Sequence, residues 1–381
     1  MKPTQWDNYC FWALLAFAAT ATASVALQNL LLVAVALALW ILRDRKGWMS
    51  RLPQSFAWAT LFFLLTFLFS SALGVNPGAS FKTVHKYLIY LALFPLGALG
   101  YGLSRKERLL EVFTAGTAVC AVWGITKHFL GWEDRIRSFS GHWMVFGGLL
   151  MLGCLTALHW ISRNPLKPLP WVLLGLNGWA LLLTQTRGAW MGLVAGAVFW
   201  GWKVNRKALL IGILAVALSY VFWPAALKQR VHSFGEFPTD INNSNTERIY
   251  IWEAGLRIIR DYPVFGIGQS NMEETYPKYR LPKATEPFVG HLHDNFLQVA
   301  AQNGLVGLAA YLAWISAYFW MALRFRGPDE AAQRFNWTLT CLFLATLVWG
   351  LTEYTFSYQF MNVQAFLLGL QVPVSDPLKS T

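Results

Sequence analysis

Long apolar runs joined by short polar connections dominate the chain. Twelve of them approach the ~20 residues an α-helix needs to cross a hydrocarbon core: residues 9–26, 28–42, 54–73, 85–103, 109–129, 142–161, 170–185, 189–203, 208–224, 296–323, 336–352 and 360–374. The second, seventh and eighth are short, which predicts bending or tight pairing. The pattern predicts an all-α polytopic membrane protein with about twelve transmembrane helices. One polar stretch interrupts it. The expected organisation is helices 1–9 in residues 1–224, a large loop in residues 225–295, and helices 10–12 with a short tail in residues 296–381.

The loop contains its own helical signal. Ile249, Trp252, Leu256 and Ile259 recur at helical spacing within residues 246–260, which predicts an amphipathic helix. Ser244 or Asn245 is the expected N-cap, Asn242-Asn243-Ser244-Asn245 has turn chemistry, and Pro263 stops the helix.

Composition agrees with the pattern. Hydrophobic residues make up 56% of the 381 and charged residues only 13%, with a mean hydropathy of +0.40; a soluble domain carries roughly 25% charged residues. The twenty tryptophans suit interfacial belts. Cys10, Cys120, Cys154 and Cys341 all fall inside apolar runs and read as small hydrophobes, not as a disulfide or metal framework.

Charge sets the expected orientation. Alternate short loops hold Arg43, Arg45, Lys46 and Arg51, then Arg105, Lys106 and Arg108, Arg163 and Lys167, Lys203, Arg206 and Lys207, and finally Arg324, Arg326 and Arg334. The opposite loops hold only Lys82, Lys86, Lys127, Arg135, Arg137 and Arg187. The positive-inside rule then puts both termini in the cytoplasm and the large loop outside. Only Lys2 precedes the first run as a basic residue, so that run is read as a retained helix, not a signal peptide. These loops account for the net charge of +12, and nucleic-acid binding finds no other support.

The chemistry gathers on the outer side. Carboxylates are nearly absent from the runs, unlike proton-coupled transporters. Arg187 lies in a tight turn between two helices, Arg135 and Arg137 in a short loop before His142, and Arg248 at the start of the loop helix. His291 and His293 precede the tenth run, and Glu353 follows the eleventh. Guanidinium forks suit phosphate oxygens, and an anionic phospholipid-like substrate entering from the outer leaflet fits this distribution.

Each residue has a plainer reading. Arg187 can snorkel to headgroups; Arg248, Arg257 and Arg260 can be solvated helix charges; a histidine beside a membrane is often structural. Asp294 or Asn295 is the better N-cap for the tenth helix, which frees His293 to face a cavity. The histidines with Asp294 are not read as a metal site, because no further Cys or acidic partner stands at a recognisable ligand spacing. Gly-rich nucleotide loops and Gly-x-Ser-x-Gly elbows are absent.

Three ordered blocks carry a resemblance: Thr186-Arg187-Gly188-Ala189-Trp190; Arg248 and Trp252 followed by Pro263-Val264-Phe265-Gly266-Ile267-Gly268; and His291-Leu292-His293-Asp294-Asn295-Phe296-Leu297 with Asn303-Gly304-Leu305-Val306-Gly307. They resemble the O-antigen ligase and polymerase superfamily, whose Asn after the histidine is here displaced by Asp294. The resemblance implies a GT-C-like glycosyltransferase architecture in a bacterial inner membrane, with the active site facing the periplasm. It implies a glycan donor on undecaprenyl pyrophosphate and a lipid A-core acceptor within the membrane lipids, with no metal or other cofactor. It further implies His293 as general base and Arg187 and Arg248 as catalytic cations, with Arg137, His291 and Glu353 as secondary substrate-binding residues; Arg135, Lys127 and His128 are left as structural. Members that modify pilin-like proteins often carry an extra C-terminal region, so the short tail and the Arg-bearing loop helix favour the glycan ligase. A polymerase of the superfamily and a lipid-linked glycan flippase are the alternatives.

Overall fold

The computed structural model describes residues 5–42, 53–92, 101–137, 139, 141–222, 228 and 244–371. The basic loop of Arg43–Arg51, residues 93–100 of the fourth run and the end of the twelfth lie outside the described residues, as do residues 229–243 of the loop.

The described residues contain helices and no strands. The helices are α1 (Gln5–Thr20), α2 (Val25–Leu42), α3 (Gln54–Leu73), α4 (Pro77–Val84), a 3-10 helix (His85–Ala92), α5 (Leu103–Phe129), α6 (Trp143–Arg163), α7 (Pro168–Leu183), α8 (Arg187–Val204), α9 (Arg206–Ser219), α10 (Ser244–Asp261), α11 (Met272–Thr275), α12 (Asn295–Arg324), α13 (Glu330–Trp349) and α14 (Tyr358–Gln371). Short 3-10 turns follow α9 and α11. The protein is an all-helical membrane protein. Among the described residues α3, α5, α6 and α12 are long and apolar enough to cross a bilayer, while the helices at 8–20, 25–35 and 168–183 are apolar but shorter.

Helix α3 shows why these segments suit lipid. Phe56, Phe63, Leu64 and Phe67 are buried, whereas Trp58, Phe62, Leu65 and Phe69 are exposed on the opposite face. A helix apolar on both sides needs a nonpolar solvent on its free side. The four cysteines are free and buried, as small hydrophobes.

Helix α12 positions the site, and it is broken. Gly304 has φ +69°. In a continuous helix Leu305 and Val306 would donate to Ala301 and Gln302. Instead their N–H groups donate to the carbonyls of Pro263 (2.7 Å) and Val264 (3.4 Å), while Ile267 and Gly268 donate to Ala301 (2.9 Å) and Gln302 (3.0 Å). The segment Pro263–Gly268 is thus a strap set into the opened helix, replacing both broken hydrogen bonds with four. Such compensation is what buried backbone groups require. A β-carbon at Gly304 would collide with the Val264 carbonyl, and one at Gly266, also at positive φ, with the Gln302 backbone. The strap is pinned further by Asn271 Nδ2 donating to the Ile267 carbonyl at 2.6 Å and by the Ile267 carbonyl also accepting from Val75 N at 2.9 Å.

The loop helix departs from the apolar stripe read in the sequence. Ile251, Ala254 and Ile258 form its buried face with Ile267, Tyr276 and Leu292, and Trp252 and Ile259 pack at the margin. Ile249 and Leu256 are exposed. Residues 249–259 are apolar around most of the helix, so spacing alone did not choose the inward face. Glu247 ties the loop's far segment down: it accepts from Thr285 N, Thr285 Oγ1 and Glu286 N, each at 3.0 Å.

Candidate active site

Four helix ends meet at one end of the bundle. His142 caps α6, Arg187 opens α8, Asp294 caps α12, and the segment after α13 crosses between them. The Asp294 carboxylate accepts from Leu297 N at 2.8 Å, as the capping rules lead one to expect. The positive ends of three helix dipoles point toward this region, which favours anions.

The Glu353 segment is seated by a mutual clasp. Asn295 N donates to the Gly350 carbonyl at 2.7 Å, Asn295 Nδ2 to Thr355 Oγ1 at 2.7 Å, and Thr355 N to Asn295 Oδ1 at 2.9 Å. A β-carbon at Gly188 would collide with Thr352 Oγ1, so the start of α8 lies directly against the same segment.

The clasp delivers Glu353, buried, to the histidines. Its Oε1 lies 3.2 Å from His293 Nδ1 and accepts from Tyr354 N at 3.1 Å. Its Oε2 lies 3.8 Å from Arg248 Nη2. Burial alone would raise the carboxyl's pKa. The His293 hydrogen bond, the two imidazoles and the Tyr354 amide outweigh that and hold it below the usual carboxylate range.

His293 takes a left-handed backbone, φ +53°. A non-glycine residue rarely does so, and such strain concentrates at functional sites. Trp252 Nε1 donates to the Leu292 carbonyl at 2.9 Å, and Leu292 N donates to Gln298 Oε1 at 2.7 Å. These two bonds hold the turn that bends His293 toward Glu353.

His291 packs edge-on to His293, centroids 4.3 Å apart, and stacks on Tyr354 at 5.3 Å. Burial, and then the neighbouring His293, push its pKa down to about 4 against the opposing pull of Glu353. His291 is therefore neutral near pH 7. Arg187 Nη2 donates to Asn245 Oδ1 at 2.6 Å, which links α8 to the first turn of the loop helix, one turn from Arg248.

The sequence candidates fall into two groups. His291, His293, Arg248 and Glu353 form one connected cluster, with Arg187 beside it. Arg137 is instead half-exposed and paired with Glu133 at 3.0 Å; its carbonyl accepts from Lys127, which also pairs with Glu133 at 2.9 Å. Two neighbours escaped the sequence reading. His142 stands within electrostatic reach of Glu353 and His293, its pKa lowered by burial and by the nearby cations. Tyr354 stacks on His291. Only its position next to Glu353 hinted at it.

The acidic partner that spacing did not reveal is Glu353. The ligating atoms of His291, His293 and Glu353 lie within 4.8 Å of one another, a donor set that suits zinc in composition. Glu353 is already divided between an imidazole and Arg248, and a dication there would stand against that guanidinium. The charge pattern fits proton transfer next to an anion more closely.

Residues 171–312 match the protein-family model described as O-antigen ligase. That region holds Arg187, Arg248, both histidines and the strap, and leaves Glu353 outside. The chain is similar to a protein of Pseudomonas aeruginosa described as O-antigen ligase, 26% identical over 257 residues. The match covers 64% of this chain and 58% of that protein's length. It is also similar to a protein of Haemophilus influenzae described as uncharacterized, 25% identical over 311 residues, covering 74% of this chain and 76% of the relative. The motifs on the helix ends, the matched region and the named relative point the same way: over residues 171–312 the chain is similar to O-antigen ligases.

Proposed function

We propose that the protein is a glycosyltransferase that moves a glycan from undecaprenyl pyrophosphate to a sugar hydroxyl of lipid A-core, at the periplasmic face of the bacterial inner membrane. The observation that carries this reading is the chain of contacts from His293 through Glu353 to Arg248. In it a carboxylate orients an imidazole beside a cation suited to phosphate.

The chemistry follows from the atoms. With Nδ1–H donated to Glu353, the Nε2 lone pair of His293 is free to accept the proton of the acceptor hydroxyl. The acceptor oxygen forms a bond to the donor's C1 as the C1–O bond to the pyrophosphate breaks. Arg187 and Arg248 bind the pyrophosphate and stabilise the charge that collects on it. The leaving group is already activated, so ATP has no role. Direct displacement inverts the anomeric centre.

The polar residues inside the bundle favour an enzyme over a lipid-linked glycan flippase. Asn362 Nδ2 donates to Gln28 and Asn29, Tyr90 to Gln364, and Tyr318 to Gln371. These side chains are engaged with one another as interhelical contacts, and the His291–His293–Glu353 group lies at one end of the bundle. A flippase needs polar groups along its path.

The test is transfer from purified lipid-linked donor to purified lipid A-core, without ATP and with a chelator present. His293→Ala is expected to lose roughly 10²–10⁴-fold in rate while retaining donor binding, and Arg248→Ala to lose both. No transfer by donor-binding wild type removes the ligase reading; chain growth on a lipid-linked acceptor would assign polymerase activity instead.

A further inference from the structure

The cluster has a cation that the reaction just described does not use. Lys86 stands in the first turn of the 3-10 helix, half-buried, with its Nζ 3.4 Å from the Tyr354 hydroxyl. Three aromatic rings surround the ammonium: Tyr87 at 4.8 Å, Tyr354 at 5.7 Å and Tyr358 at 5.8 Å to their centroids. The cage is itself braced. Tyr87 stacks on Phe67 at 3.9 Å and its hydroxyl lies 2.9 Å from that of Tyr354, while the Tyr358 hydroxyl meets His85 Nε2 at 3.3 Å. Tyr354 in turn stacks on His291, so Lys86 is held one ring away from the histidine pair.

Charge separates Lys86 from its neighbours. Arg248 faces Glu353, and Arg137 and Lys127 share Glu133. Among the described residues no carboxylate pairs with Lys86. Tyrosine faces attract a cation without neutralising it, and an ammonium has three donors to place. Rigid seating of a long, flexible lysine costs side-chain entropy, and a surface cation with no task would not need a braced cage.

We propose that Lys86 binds a phosphoryl group of one of the two substrates, beside the 3-10 helix and Tyr354 and apart from the arginines of α8 and α10. The inference rests on the glycan-transfer reading. The phosphoryl group comes either from a phosphorylated acceptor glycan or from the donor's pyrophosphate, and the same experiment separates the two.

Lys86→Met keeps the stem and removes the charge; Lys86→Arg keeps the charge. Lys86→Met is expected to raise the KM of one substrate by roughly tenfold, as loss of a charge-assisted contact does, with kcat within about twofold. Lys86→Arg is expected to recover most of that loss. If the acceptor supplies the group, the acceptor KM rises and the effect vanishes with phosphatase-treated acceptor. If the donor supplies it, the donor KM rises and phosphatase treatment of the acceptor changes nothing. Unchanged KM for both substrates, or equal impairment of the Met and Arg variants, overturns the proposal.

A measurement on wild type needs neither variant nor turnover. Acylation of Lys86 by an amine reagent is followed by mass spectrometry, with exposed Lys82 as internal reference. Inorganic pyrophosphate is expected to slow labelling of Lys86 several-fold relative to Lys82; equal rates with and without it overturn the proposal. Failure of wild-type glycan transfer would count against the enzymatic reading and leave this labelling result standing.

Discussion

His293 Nδ1 and Glu353 Oε1 lie 3.2 Å apart although sixty residues separate them in sequence. The contact joins the residue before the cap of α12 to the segment that leaves α13, and in the proposed reaction it leaves Nε2 to face the acceptor. Glu353→Gln keeps the shape but removes the charge that supports a protonated imidazole. Transfer is expected to fall roughly 10–100-fold, the usual cost of losing an orienting partner, with donor affinity reduced less. Steady-state rates at saturating donor check this; a Glu353→Gln enzyme within twofold of wild type would remove Glu353 from the machinery.

The backbone at His293 allows its chemistry and its strain to be separated. Both His293→Ala and His293→Gly should lose roughly 10²–10⁴-fold in transfer rate. Their stabilities should differ in a fixed order, because glycine accepts φ +53° without the penalty of roughly 1 kcal/mol that a β-carbon incurs. Thermal unfolding in detergent is expected to place His293→Gly above His293→Ala. The reverse order would show that the left-handed backbone costs nothing here.

Acid should loosen the site before it unfolds the bundle. His291 has its pKa depressed from 6.5 to about 4 by burial and by His293, so the unfolded chain takes up this proton at a higher pH than the folded one. Stability is therefore full above about pH 6.5 and falls as pH drops toward 4. Glu353, also depressed, adds a loss in the same direction at lower pH, as the carboxylate is protonated. Unfolding midpoints measured from pH 7.5 to pH 4.5 should decline for wild type, and His291→Asn should flatten the upper part of that decline. An identical pH slope in the two proteins would contradict the burial of His291.

The break in α12 predicts a lesion far from the chemistry. Gly304→Ala forces a β-carbon into the Val264 carbonyl and adds left-handed strain. Expelling the strap would leave four backbone groups of α12 without partners, each costing several kcal/mol where buried. The expected result is a protein that inserts poorly, or that becomes protease-sensitive around residues 262–270, with transfer lost in proportion to folded protein. Gly304→Ala with wild-type melting and protease resistance would mean that the strap is dispensable.

Much of the fold was legible because a membrane leaves a coarse signal. Apolar runs predicted at 54–73 and 296–323 appear as α3 (Gln54–Leu73) and α12 (Asn295–Arg324) with almost the same ends, and Asp294 caps its helix as its type and position imply. The inward face of α10 was not legible. Ile249 and Leu256 are as apolar as Ile251 and Ile258, and only the surface offered by Leu292, Ile267 and Tyr276 decides which pair is buried.

By itself, then, the sequence determined long apolar helices such as α3 and α12, the greasy environment and the residue types that gather near one end of the bundle, because helix period and hydrophobic run length are local properties. The tertiary structure alone decided that Glu353 divides itself between His293 and Arg248, that Arg137 spends its charge on Glu133, that Lys86 sits in a tyrosine cage, and that Pro263–Gly268 repairs a broken helix. Each of these is a pairing across long stretches of chain. Such a pairing is fixed by which helix ends pack together, and no spacing along the chain encodes it.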